Sequence, residues 1–333
     1  MRVCIVGAGA IGSFLGAHLS RSGSDVVALA RGATAAALRA HGFQLEQAGA
    51  LVTAKVRVVE DTAGLGAQDL VVLAVKGPSL LHAAEKIPPL LGRQTMVLTA
   101  MNGVPWWFFQ GASGPYAGTR LKSIDPDGRI EAAIPSRHVI GCVVHATCSV
   151  VEPGRVRHGF GNELIIGEPG WGEAGRGEPE SAISARVTAL AERLRSAGFK
   201  ATVSARIQAD IWYKLWGNMT VNPISALTGA TCDRILDDPL LNRYSVAIMA
   251  EAAAIGERIG CPIRQSGEDR NAVTRKLGAF KTSMLQDALA GRPLEIDALV
   301  TAVTEIGGMV AVPTPHTDAL LGLIRVYSEA HRG

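Results

Sequence analysis

The sequence predicts an α/β N-terminal domain of Rossmann type followed by an all-α helical domain, and three observations carry that prediction. Residues 2–23, RVCIVGAGAIGSFLGAHLSRSG, pass from a β-branched run through a glycine-rich turn into a helical pattern. Strand-like and helix-like segments then alternate up to about residue 206. From Ile207 onward strand signals nearly vanish and apolar residues recur at helical spacing. The boundary is therefore drawn at 1–206 and 207–333, which suits a 333-residue chain at about 150 residues per domain.

The first element sets the expectation for the N-terminal domain. Gly7-Ala8-Gly9-Ala10-Ile11-Gly12 stands between a strand and a helix, the context a dinucleotide-binding turn requires. Gly7 permits the tight turn, Gly9 lets the backbone approach a pyrophosphate, and Gly12 lets the helix close on the strand. The helix N-terminus then offers N–H groups and a partial positive charge to phosphate. The second strand, DVVALAR, ends on Arg31 with no acid until Glu46. An NAD site usually holds the ribose 2′-OH with an acid there, whereas the Arg31 guanidinium, with Thr34 beside it, suits the 2′-phosphate of NADPH. The alternative is a solvated surface arginine.

Two further buried-type strands follow. DLVVLAVKGPSL ends in Lys76 and TMVLTAMNGVP ends in Met101-Asn102-Gly103. Ligands of open α/β sheets lie beyond the carboxyl ends of strands. Lys76 is thus placed to meet a phosphate or a substrate carboxylate, and Asn102 a nicotinamide ribose or the substrate. The quartet Trp106 to Phe109 is either core or the lining of a substrate pocket. Short runs in HVIGCVVHATCSVV, GRVRHG and NELIIGE predict an antiparallel extension of the sheet. The stretch 168–180 reads as a surface loop, residues 181–199 as an amphipathic helix, and KATVSA as a last edge strand.

In the C-terminal half IWYKLWGNMTVNP, Ile211 to Pro223, holds a single cation among bulky apolar side chains. Steps of four residues drift only about 40° around a helix, so Lys214, Asn218 and Asn222 share one stripe. Pro223 is expected to bend or end the helix. An ammonium with apolar neighbours loses hydration, which lowers its pKa toward neutrality and makes it a competent proton donor. The bland reading is a snorkelling lysine with two structural amides. Downstream, Ser283, Gln286 and Asp287 share a helix, and Glu295 and Asp297 open the next.

Composition narrows the classes. Apolar residues are 47% and charged residues 19%, which favours large cores. A net charge of +3 without basic blocks argues against nucleic acid or a membrane surface as partner. The apolar runs are strand-sized and no signal peptide is evident, so a cytoplasmic protein is expected. Five cysteines without CxxC pairing predict reduced, mostly buried thiols and no metal site. Apolar residues on the C-terminal helices are compatible with core or with a homodimer.

Taken together, Gly7 to Gly12, Arg31, Lys76, the Asn102-Gly103 pair, KLWGNMTVNPISAL and TSMLQD followed by EID resemble the ketopantoate reductase family over essentially the whole chain. The resemblance implies NADPH-dependent reduction of 2-dehydropantoate to pantoate, in pantothenate and coenzyme A synthesis. It makes Lys214 the catalytic proton donor and Glu295 the acid that bonds the substrate hydroxyl and assists. Asn218, Asn222 and Ser283 match substrate-binding positions, Asn102 and Lys76 line the nicotinamide and substrate cleft, and Arg31 holds the 2′-phosphate. Two departures bear on the substrate. A further asparagine of some members falls near Cys232, and the segment from Val104 to about Arg137 is longer and carries the aromatic quartet. Reduction of a bulkier or aromatic 2-oxo acid, as in D-2-hydroxyacid (mandelate-type) dehydrogenases, is the second reading. A non-catalytic NADP-binding sensor and an opine or imine dehydrogenase are further alternatives, disfavoured by the lysine and amide stripe or requiring an amine.

Overall fold

The computed structural model describes residues 1–111, 115–170 and 183–331. Most of the expected surface loop at 168–180 lies outside them. The chain divides into two units, residues 1–101, 107–119 and 127–208 in one, and 102–106, 120–126 and 209–333 in the other.

The N-terminal unit is built on a sheet whose strands are almost wholly apolar because both faces are covered. In chain order come β1 (Arg2–Val6), α1 (Ala10–Arg21), β2 (Asp25–Leu29), α2 (Gly32–His41), β3 (Phe43–Gln47), β4 (Ala50–Ala54), β5 (Arg57–Val59) and β6 (Leu70–Leu73). There follow α3 (Leu80–Ala84), β7 (Met96–Thr99), α4 (Arg129–Ala133), β8 (Val139–His145), β9 (Cys148–Glu152), β10 (Arg155–His158), β11 (Glu163–Gly167), α5 (Ala185–Ser196) and β12 (Lys200–Val203). Eight strands form one sheet in the order β12-β11-β8-β7-β6-β1-β2-β5. From β5 to β8 all neighbours are parallel. The chain winds one way from β1 through β2 and the other way from β6 through β8, so the order reverses between β1 and β6. That reversal is the topological switch point where such sheets bind ligands.

The antiparallel extension differs from expectation in its extent. Two strands, β11 and β12, run opposite to the others: β11 pairs antiparallel with β8, and β12 is parallel to β11 at the edge. The strands β9 and β10 leave that sheet and join β3 and β4 in a second one, ordered β4-β3-β10-β9. The segment 43–59, which carries no strong strand signal, supplies β3 to β5. Its partners are distant in sequence, with Val156 opposite Leu45, and pairing of that kind is invisible to local periodicity.

The C-terminal unit comprises α6 (Ile207–Thr228, whose first residues belong to the N-terminal unit), α7 (Cys232–Asp237), α8 (Pro239–Arg258), α9 (Gly267–Arg275), α10 (Ser283–Leu289), α11 (Ala302–Met309) and α12 (Pro315–Ala330). Pro223 does not end α6, which continues five residues past it. The missing N–H and ring clash of an internal proline cost about 3 kcal/mol. Here Met219, Val221, Ile224 and Ala226 are all buried around it, and their packing outweighs that cost. α9 and α10 are separate helices because Thr282 caps a new start by accepting the Leu285 N–H. Among the described residues no helix is long and apolar enough to cross a membrane.

Candidate active site

The glycine-rich turn behaves as a cradle. Gly7 has φ +99°, and a Cβ there would lie 2.7 Å from the Ala74 carbonyl oxygen at the end of β6. A Cβ on Gly12 would lie 1.9 Å from the Gly7 oxygen, so α1 closes on β1 only because that atom is missing. At Gly9 the same test meets nothing within 4 Å, which leaves room for a ligand against the backbone. The turn is held from inside: the buried Ser13 hydroxyl donates to the Ala8 carbonyl at 3.1 Å. Ala10 and Ile11 open α1, whose first turn contains no acid that would repel a phosphate. Burial pushes the Cys4 thiol beneath the turn up to about 12, with Arg57 pulling only weakly the other way, so thiolate chemistry is absent there.

Arg31 caps the start of α2, is exposed, and makes no ion pair with any described residue. Lys76 follows β6, is also exposed, and begins a short 3-10 turn. Arg31 thus stands at the carboxyl end of β2 and Lys76 at that of β6, on opposite sides of the switch point. The residues present fit a pyridine nucleotide: an open glycine, unblocked helix N–H groups and a cation where an acid would select against a 2′-phosphate.

In the C-terminal unit α6 presents its polar stripe as a continuous helix. The Lys214 ammonium donates to Oδ1 of Asn102 at 2.8 Å. Trp212, Leu215, Trp216 and Met219 on the same helix are 2% exposed or less, and Lys214 itself is half-buried. The two indoles are tied down by their N–H groups, Trp212 to the Ala252 carbonyl at 3.2 Å and Trp216 to the Met249 carbonyl at 2.8 Å. These bonds lock the face of α6 that flanks the lysine. One turn and two turns on, Asn218 is half-buried and Asn222 only 8% exposed, and neither amide bonds another described residue. A buried amide without a protein partner is costly unless a ligand or water satisfies it. Ser283 is the first residue of α10 and is half-buried.

The acidic residues divide by role. Asp287 is buried and receives the Arg292 Nε at 2.9 Å, closing the turn that leads to the next segment. Asp297 accepts from Thr301 at 3.0 Å and is exposed. Glu295 is 7% exposed and engaged with its surroundings, and it lies two residues before a π-helical turn at Asp297–Thr301. Such turns are rare and concentrate at functional sites. Sequence reasoning missed that turn and named Gly103 only as part of the Asn102-Gly103 pair, without the role given by its φ of +84° and its packing on Ala298. The one available signal was the Asn-Gly dipeptide itself.

The aromatic quartet is interior. Trp106, Trp107, Phe108 and Phe109 are all 2% exposed or less. Trp107 fills the space above Gly141 in β8, where a Cβ would come within 2.5 Å of its ring.

Comparison with known proteins covers the whole chain. The family model described as ketopantoate reductase PanE/ApbA matches residues 3–171, and its C-terminal companion matches residues 206–328. A 2-dehydropantoate 2-reductase of Mesorhizobium japonicum is 46% identical over 326 residues, 98% of this chain and 97% of that protein. A candidate ketopantoate reductase of Ralstonia solanacearum MolK2 is 56% identical, with TM-score 0.93 over 99% of this chain and 98% of that one. A D-mandelate dehydrogenase solved with NADH and anilino(oxo)acetate shares the fold at 22% identity, with TM-score 0.82 over the full length of both chains.

Proposed function

The chain belongs to the ketopantoate reductase family, a family of pyridine-nucleotide oxidoreductases, and on that premise we propose that it reduces 2-dehydropantoate to pantoate with NADPH. The step feeds pantothenate and coenzyme A synthesis. The observation that carries this reading is the Lys214 ammonium held on Asn102 at the head of a stripe of unengaged amides.

NADPH, when bound, supplies the hydride that adds to the keto carbon. The residues to hold it are Gly7, Ala8, Gly9, Ala10, Ile11 and Gly12 at the pyrophosphate, Arg31 at the 2′-phosphate, and Lys76. Lys214 hydrogen-bonds the keto oxygen and passes it a proton as the C=O bond becomes single; the resulting amine regains its proton from solvent. Holding the ammonium on a neutral amide rather than a carboxylate leaves the proton transferable, since a fixed opposite charge would stabilise the charged lysine. Asn102, Asn218, Asn222 and Ser283 orient the acid and its hydroxyl without adding competing charge, and Glu295 takes the substrate hydroxyl and assists.

The burial of Trp106 to Phe109 supports ketopantoate over a bulkier aromatic acid. Turnover with ketopantoate, pyruvate and phenylpyruvate, each with NADPH and NADH, tests the reading. Ketopantoate with NADPH is expected to give the highest kcat/KM; parity with phenylpyruvate overturns it. We also propose a cytoplasmic protein able to pair as a homodimer, a reading supported by free thiols and by Leu323 and Val326 exposed on α12. A monomeric sedimentation coefficient at micromolar concentration would remove the dimer.

A further inference from the structure

The chain just after Asn102 is held by a backbone carbonyl that the π turn sets free. The Ala302 N–H donates to the Asp297 carbonyl, five residues back. In α geometry it would donate to the Ala298 carbonyl instead. The Ala298 oxygen accepts from outside the helix, taking the Val104 N–H at 2.8 Å. Between Val104 and Asn102 lies Gly103, at φ +84°, where a Cβ would stand 2.5 Å from the Ala298 oxygen and 2.6 Å from its Cβ. Two of the three nearest atoms there are backbone and cannot swing aside, so only glycine lets the strand of chain lie this close. The residue next to this contact is Asn102, whose Oδ1 receives the Lys214 ammonium at 2.8 Å. A second tether reaches the adjoining helix: Glu305 on α11 accepts the Lys122 and Ser123 N–H groups at 2.7 and 2.9 Å.

We propose that Gly103 and the released Ala298 carbonyl are positioning elements for the reaction. They fix the Asn102 backbone so that its amide oxygen holds the Lys214 ammonium in donating geometry. The widened turn beside Glu295 thereby acts on the lysine through a backbone contact, and no side chain of Ala298 is needed. This inference rests on Lys214 being the proton donor.

The test is a double-mutant cycle on the full-length protein. Gly103→Ala is expected to lower kcat about ten-fold or more, the scale of one lost hydrogen bond to a charged group, with the Kd for NADPH unchanged. In an Asn102→Ala background the same substitution should change kcat less than about two-fold, because the two act through one contact. Independent, multiplying losses, or kcat and NADPH affinity falling together with Tm, overturn the inference and leave Gly103 a structural residue. Hydrogen exchange of the unmodified protein needs no variant: the Val104 amide should exchange as slowly as those of α11, and rapid exchange overturns the contact. The parent reading fails separately. Lys214→Ala with undiminished turnover removes it, whereas an inactive Lys214→Ala beside an unimpaired Gly103→Ala removes only the positioning role.

Discussion

Lys214 and Asn102, 112 positions apart in sequence, meet in one hydrogen bond of 2.8 Å, and both belong to the C-terminal unit. Asn102 lies three residues beyond the end of β7, yet it packs with the helices. The lysine and the amide that accepts its hydrogen bond therefore share one framework, anchored by Trp212 and Trp216 on one side and by the π turn on the other.

Removal of the lysine should separate chemistry from binding. Lys214→Ala is expected to lower kcat by about 10²- to 10⁴-fold, the usual worth of a general acid. NADPH affinity, which the proposal assigns to the N-terminal unit, should stay within about two-fold. Steady-state kinetics paired with a fluorescence titration of NADPH measure both.

The glycines of the cradle should part company on substitution. Gly12→Ala places a methyl 1.9 Å from the Gly7 oxygen and should lower Tm by several degrees, because backbone must shift. Gly9→Ala meets no protein atom, so Tm should hold while the Kd for NADPH rises by about ten-fold or more. Thermal unfolding with and without cofactor distinguishes the two. Equal effects on Tm would contradict the assignment of Gly9 to the ligand.

Cofactor choice should follow Arg31. Its replacement by alanine is expected to weaken NADPH by about ten- to a hundred-fold, as for a lost charge-assisted contact, and to leave NADH nearly unchanged. The ratio of kcat/KM for the two cofactors reports this directly. An unchanged ratio assigns Arg31 to the solvent.

Stability at acid pH should depend on Glu251. Burial raises its carboxyl, but bonds from the Thr317 hydroxyl, the His316 and Thr317 N–H groups and the His316 ring outweigh it and hold the group below its ordinary value of 4.5. These bonds tie α8 to the first turn of α12. A depressed folded pKa gives stability that is present above 4.5 and lost as the pH falls through the lower folded value. Glu251→Gln should therefore cost about 1–3 kcal/mol at pH 7, with the gap to the unmodified protein closing at acid pH. Tm measured across that range shows the convergence or its absence.

Much of the architecture was legible. Strands with both faces buried, such as residues 70–73 and 96–99, announce themselves as apolar runs, and the glycine spacing names the turn that follows β1. The stripe of Lys214, Asn218 and Asn222 follows from helical geometry alone. Legibility stops where the deciding partner is far along the chain. Strands β3 and β10 pair across more than a hundred residues, so no local window of sequence reports the partnership. Pro223 marks a helix end by propensity, yet burial of its neighbours carries α6 to Thr228. The aromatic quartet could not be placed inside or at a pocket until its burial was known.

By itself the sequence determined the glycine turn between β1 and α1, the order of an α/β domain and a helical one, and the lysine helix, because each depends on spacing within a few turns or a single strand. The tertiary structure alone decided that Asn102 receives the Lys214 ammonium, that a π turn frees the Ala298 carbonyl for Val104, and that Gly103 must carry no side chain. Those outcomes depend on distances of a few ångströms between segments more than a hundred residues apart, and only the packed chain brings them together.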